Sequence, residues 1–115
     1  MPKKRYVGRR AGPTAVDDLE VTVLTEHGET YSLPWRLDLR NHSPTGLNAG
    51  YGGSGPAQLS LALLADHLDD DQAALRAYHD FKWVCVALLP IDDPWELTSD
   101  QIDEFLVKAA RRSGA

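Results

Sequence analysis

The sequence predicts an α+β fold, a small antiparallel β-sheet that starts from an N-terminal hairpin and packs against about three helices. Three observations predict it. Residues 19–26 and 29–40 alternate apolar with polar side chains, the period of a half-buried strand. Residues 57–68 are apolar on most sides, as in a central, buried helix. Residues 99–111 place Ile102, Phe105, Leu106 and Ala109 at helical spacing, behind a capping-box pattern at Thr98–Gln101.

Taken in order, residues 4–9 are a short, weakly patterned first strand. In the second strand Leu19, Val21 and Val23 alternate with Glu20 and Thr22. His27-Gly28 supplies the turn, where Gly accepts positive φ. Tyr31, Leu33, Trp35, Leu37 and Leu39 then share one face of a strand over 29–40, and Pro34 makes that strand an edge or a bulged one. A hairpin alone is marginal and needs a cover. Pro56 suits the first turn of a helix over 56–68. Asp69-Asp70-Asp71 ends that helix and caps another over 71–81, with Leu75, Tyr78 and Phe81 at helical spacing. Residues 83–89 fit a strand or a helix, and their aromatic and β-branched content, ended by Pro90, favours a strand added to the sheet.

The 115 residues amount to one domain over 1–115, with a basic N-terminal arm at 1–5 and a short tail at 112–115. No apolar run approaches the ~18 residues of a membrane span. The basic start meets Asp17, Asp18 and Glu20 too soon for a signal peptide, and the single Cys85 cannot form an internal disulfide, so a cytoplasmic protein is expected.

Net charge is −5, unevenly spread. Residues 1–10 hold five cations and no acid, and residues 108–115 hold three more. All 17 acids lie between, against Arg36, Arg40, Arg76 and Lys82. Such a body repels DNA, so nucleic acid is expected only through the basic arm. A basic protein partner is the more natural match for Asp69, Asp70, Asp71, Asp92 and Asp93. Trp95, directly after Asp92-Asp93-Pro94, is either a core-edge residue, like Trp35 and Trp83, or a surface anchor for that partner.

The run from Arg36 to Gly46, the run from Gly50 to Leu59, Leu61–Asp66 and Asp80-Phe-Lys-Trp83 resemble a family of small uncharacterised bacterial, plasmid and phage proteins, a domain of unknown function. The resemblance covers residues 5–107. It implies an accessory protein carried by mobile elements and brings no activity with it. By analogy it marks 40–56 as a working surface.

That stretch holds a long polar loop, 41–55, with Gly46, Gly50, Gly52, Gly53 and Gly55. Loops above ~12 residues are usually functional or disordered. The glycines either let the chain turn tightly into the helix, or contact a protein, or cradle an anion with bare backbone N–H groups at a helix N-terminus. Arg40, Asn41, His42, Ser43, Tyr51 and Ser54 supply side-chain contacts beside Gly52, Gly53 and Gly55. No P-loop or dinucleotide fingerprint is present. Ser54 lacks a nucleophile-elbow spacing. His27, His42, His67 and His79 are not spaced as metal ligands, and Cys85 lies in an apolar segment where thiols are inert. No catalytic set, metal or cofactor is therefore expected. The expected role is a non-enzymatic interaction module with a protein partner, the alternative a small-ligand, nucleotide or anion-binding domain using 50–55. A third reading makes His42 a catalytic base.

Overall fold

The computed structural model describes residues 3–14 and 17–113. The elements are β1 (Lys4–Arg10), β2 (Leu19–Thr25), β3 (Thr30–Ser32), α1 (Ser54–Leu68), α2 (Asp71–Val84), a 3-10 turn (Val86–Leu88), β4 (Trp95–Thr98) and α3 (Ser99–Arg112). The four strands form one antiparallel sheet in the order β3-β2-β1-β4, with helices covering one side, so the α+β class holds.

Alternation decides which side is covered. Tyr6, Gly8, Val21, Val23, Trp95 and Leu97 are buried on the helix side, while Arg5, Arg9, Glu20, Thr22 and Glu96 face solvent. The Trp95 ring of β4 lies across Gly8 of β1, in the space a side chain there would fill. A Cβ there would lie 2.2 Å from the Trp95 ring. Helix α1 is buried nearly all round. Helix α2 packs against α1 and α3 against α2, and α3 is tied across to α1 by His67 to Asp103 at 2.7 Å and to α2 by Arg112 to Asp80 at 2.8 Å.

Four expectations are corrected. The segment 83–89 is not a strand: α2 continues to Val84 and the 3-10 turn follows. Helical spacing buries Phe81, Cys85 and Val86 together and leaves Trp83 and Leu88 outside, whereas a strand would bury Phe81 with Trp83. The strand expected over 29–40 stops at Ser32. Leu33 still donates to the Val21 carbonyl at 2.9 Å, but Pro34 has no N–H to continue the ladder and Arg36 takes φ 58°. Its guanidinium binds Asp71 through two nitrogens (2.8 and 3.0 Å) and Asp38 as well, fixing the turn. Finally, β4 supplies the fourth strand, which places Trp95 in the core at 6% exposure rather than at the surface. Lys4 and Arg5, assigned to a basic arm, are the first residues of β1.

Candidate functional site

The loop 41–53 lies between the end of the sheet and α1, and Gln58 holds it there. Gln58 is fully buried. Its Oε1 accepts from the His42 and Ser43 backbone N–H groups at 2.8 and 3.3 Å, and its Nε2 donates to the Trp35 carbonyl at 2.6 Å. A single amide thus satisfies three backbone groups of an irregular segment, which buried polar groups require. The far end is fixed by Gly50 N–H to the Val86 carbonyl at 3.0 Å. Gly50 has φ 90°, a conformation glycine tolerates, and a Cβ there would meet Ile91.

The glycines leave room for large side chains. A Cβ on Gly52 would strike the Trp83 ring, one on Gly53 the Tyr51 ring, and Trp35 lies over Gly46. Trp35, Tyr51, Trp83 and Ile91 are each between 39% and 43% exposed, so an apolar rim follows the loop. Lys82 Nζ sits 4.4 Å from the Trp83 ring centroid.

Of the residues singled out in the sequence, Arg40, Asn41, Tyr51, Gly52 and Ser54 are exposed, His42 and Gly53 half-buried, and Ser43 and Gly55 buried. The His42 Nε2 lies 2.8 Å from the Tyr78 hydroxyl. Burial, and then the charges of Arg40 and Lys82, hold its pKa below the usual 6.5, so the ring is neutral at pH 7. Ser54 opens α1, and Gly53 caps it without a side-chain acceptor. Beside this end is a polar cavity of about 300 Å³, lined by Arg10, Asp17, Asp18, Asn48, Tyr51 and Ser54 among others. Arg10 Nη2 is enclosed with no partner among the described residues, although its other nitrogens bind the Ile91 and Asp17 carbonyls.

The acidic residues are dispersed and several are engaged. Asp70 caps α2 by accepting from Ala73 N–H at 3.0 Å, Asp71 pairs with Arg36, and Asp69 is the left-handed C-cap of α1. Asp92 and Asp93 are exposed beside Ile91. The structure does not bring the Asp69–Asp71 and Asp92–Asp93 groups into one described contact with Trp95.

Two features escaped the sequence reading. Gln58 was visible only as a polar residue within an apolar helix. The second is a cluster around Asp66, which accepts from Tyr6 and Tyr31 hydroxyls at 2.6 Å each and from Lys4 Nζ at 3.0 Å. Burial and then the Asp66 hydrogen bond push both tyrosine pKa values upward, so neither is poised as a base.

Cys85 is buried, and that burial pushes its thiol up to about 12. A thiol-disulfide dye at pH 8 is therefore expected to leave native Cys85 unmodified while the urea-unfolded chain reacts at once. Equal labelling of both would contradict the burial. Among the described residues no cluster of three or more His, Cys, Asp or Glu could hold a metal, and no helix is long and apolar enough to cross a membrane.

Compared with curated proteins and with solved structures, the chain has no match. The model of the Family of unknown function (DUF6166) matches residues 6–108, nearly the whole length, and the chain belongs to that family.

Proposed function

We propose that this chain is a non-enzymatic binding module that contacts another protein through loop 41–53 and the apolar side chains lying along it. One observation carries the reading: Trp35, Tyr51, Trp83 and Ile91 are partly exposed and each rests against a loop glycine or, for Tyr51, belongs to the loop itself. Large aromatic groups held on a rigid support are what protein interfaces use as anchors, because they bury much area at little entropic cost. Gln58 provides the rigidity. Asp92 and Asp93 border the rim beside Ile91 and extend it with negative charge. The cytoplasmic setting is favoured by the lone cysteine, and a mobile-element origin rests on the sequence resemblance alone.

The alternative, an anion cradled by the glycines at the N-terminus of α1, has less support. The positions of Gly52 and Gly53 are closed over by Trp83 and Tyr51, and the cavity at that helix end carries Asp17 and Asp18 beside Arg10.

A photo-crosslinking residue placed at Tyr51 or Trp83 in living host cells tests the proposal. The expected result is a discrete crosslinked product from both positions and none from Thr22, on the solvent side of the sheet. Crosslinking from Thr22 as strong as from Tyr51, or none from the loop positions, would overturn it.

A further inference from the structure

Leu88 is 75% exposed, more than any other large apolar side chain among the described residues. It ends the 3-10 turn that follows α2, and its N–H donates to the Cys85 carbonyl at 3.0 Å. The same short segment carries two side chains of the loop rim. The Trp83 ring lies against Gly52, while Ile91 and the Leu89 carbonyl lie against Gly50. Two residues of chain span at most ~7 Å, so 83–91 folds along one small stretch of the loop. Trp83, Leu88, Ile91 and Tyr51 thus form one apolar surface from two adjacent segments. An apolar surface of that kind marks an interaction site.

The two ends of this surface carry opposite charge. At the Trp83 end, Lys82 Nζ lies 4.4 Å and the Arg112 guanidinium 5.8 Å from the ring centroid. Lys82 is largely enclosed, so the reachable cation is Arg112, whose partly exposed side chain is shared with Asp80 at 2.8 Å. At the Ile91 end, Asp92 and Asp93 follow directly and are exposed. Arg10 donates to the Ile91 carbonyl at 3.0 Å, but it is half-buried and the two carboxylates outnumber it. Leu88 stands between the two ends in the chain.

Such a surface is complementary to itself. Turned about a two-fold axis, its negative end meets the positive end of an identical surface, and its apolar middle meets an identical middle. A uniformly acidic or uniformly basic partner would match one end and be repelled by the other. We infer that a second copy of this chain covers the surface in a two-fold symmetric dimer. Leu88 lies near the axis, and Asp92 and Asp93 of each copy face Arg112 of the partner subunit. This rests on the reading of the rim as a protein contact and names its partner.

Sedimentation velocity of the purified full chain over a rising concentration series tests it. The expected result is a concentration-dependent species of twice the 12.7 kDa chain mass. Leu88→Asp changes an exposed side chain and should weaken dimerisation at least tenfold at unchanged thermal stability, whereas Thr22→Asp, on the solvent side of the sheet, should leave it unchanged. Charge reversal tests the pairing. Arg112→Glu and the double variant Asp92→Lys/Asp93→Lys should each weaken the dimer, and an equal mixture of the two should restore it, because every end then meets its opposite. A monomer at every concentration, a dimer that folded Leu88→Asp leaves intact, or a mixture no more dimeric than its components would overturn the inference. Crosslinking at Tyr51 and Trp83 separates it from the reading it rests on. A product of twice the chain mass supports both. A product with a different protein, from a chain that is monomeric alone, overturns the dimer and leaves the protein-contact reading standing. Neither product nor dimer overturns both.

Discussion

Replacing Gln58 with alanine is expected to lower the unfolding free energy by about 3 kcal/mol, with the chain still folded in the absence of denaturant. The side chain is fully buried and answers three backbone groups: the N–H of His42, the N–H of Ser43 and the carbonyl of Trp35. Each orphaned group costs about 1–3 kcal/mol, and partial hydration of the loop offsets some of the sum. Urea denaturation of both proteins measures it. The same variant should lose amide-exchange protection at His42 and Ser43 more than at Leu61, because the loop is released before the helix. A loss below about 1 kcal/mol would mean that the loop is held by something other than Gln58.

Removing the Asp66 carboxylate should cost a similar amount. Asp66→Ala leaves the buried Tyr6 hydroxyl without an acceptor and the mostly buried Lys4 ammonium without its counter-ion. Breaking such a pair costs about 3–5 kcal/mol when fully buried, and the residual exposure here brings the expectation to about 3 kcal/mol. Asp66→Asn keeps an acceptor oxygen and should cost less. The cluster also sets an alkaline limit. Tyr6 and Tyr31 have pKa values raised in the folded chain, first by burial and then by Asp66. The unfolded chain releases those protons near pH 10, while the folded chain keeps them. Their contribution is therefore fully present below pH 10 and is lost as the pH rises beyond it. Stability measured across pH 8–11 should fall less steeply above pH 10 for a Tyr31→Phe variant than for the parent.

The elements that local pattern alone specifies were legible. The alternation at 19–25, the Gly28 turn, the apolar helix and the capping box at Thr98 all form where their residues indicate. Elements decided by a single backbone restriction were not. Tyr31, Leu33, Trp35 and Leu37 keep the strand period beyond Ser32, yet Pro34 and the left-handed Arg36 end the ladder there. The segment 83–89 satisfies both periods, and only the docking of Phe81 and Cys85 under α1 selects the helix. Strand β4 has four residues, too few for alternation to stand out. At the site, the glycines and Tyr51 were visible as a loop, but what they support depends on Gln58, Trp83 and Ile91 from distant segments. The acidic runs were visible too. That Asp70 is a helix cap and Asp71 the partner of Arg36 follows from the fold and not from their charge.

The position of β1 inside the sheet governs how the chain is made. β1 is synthesised first but has its second neighbour, β4, near the far end. At ~5–20 residues per second, roughly 4–17 s separate the two on the ribosome. From the completion of β2 until then, the nascent β1–β2 hairpin presents an unpaired edge. The edge carries Arg5 and Arg9 on its outer side and Gly8 at its centre, where the Trp95 ring later docks. Charges on an open edge discourage pairing with other chains. Those arginines can thus serve the half-made protein as guards, a duty that ends once the last strand arrives.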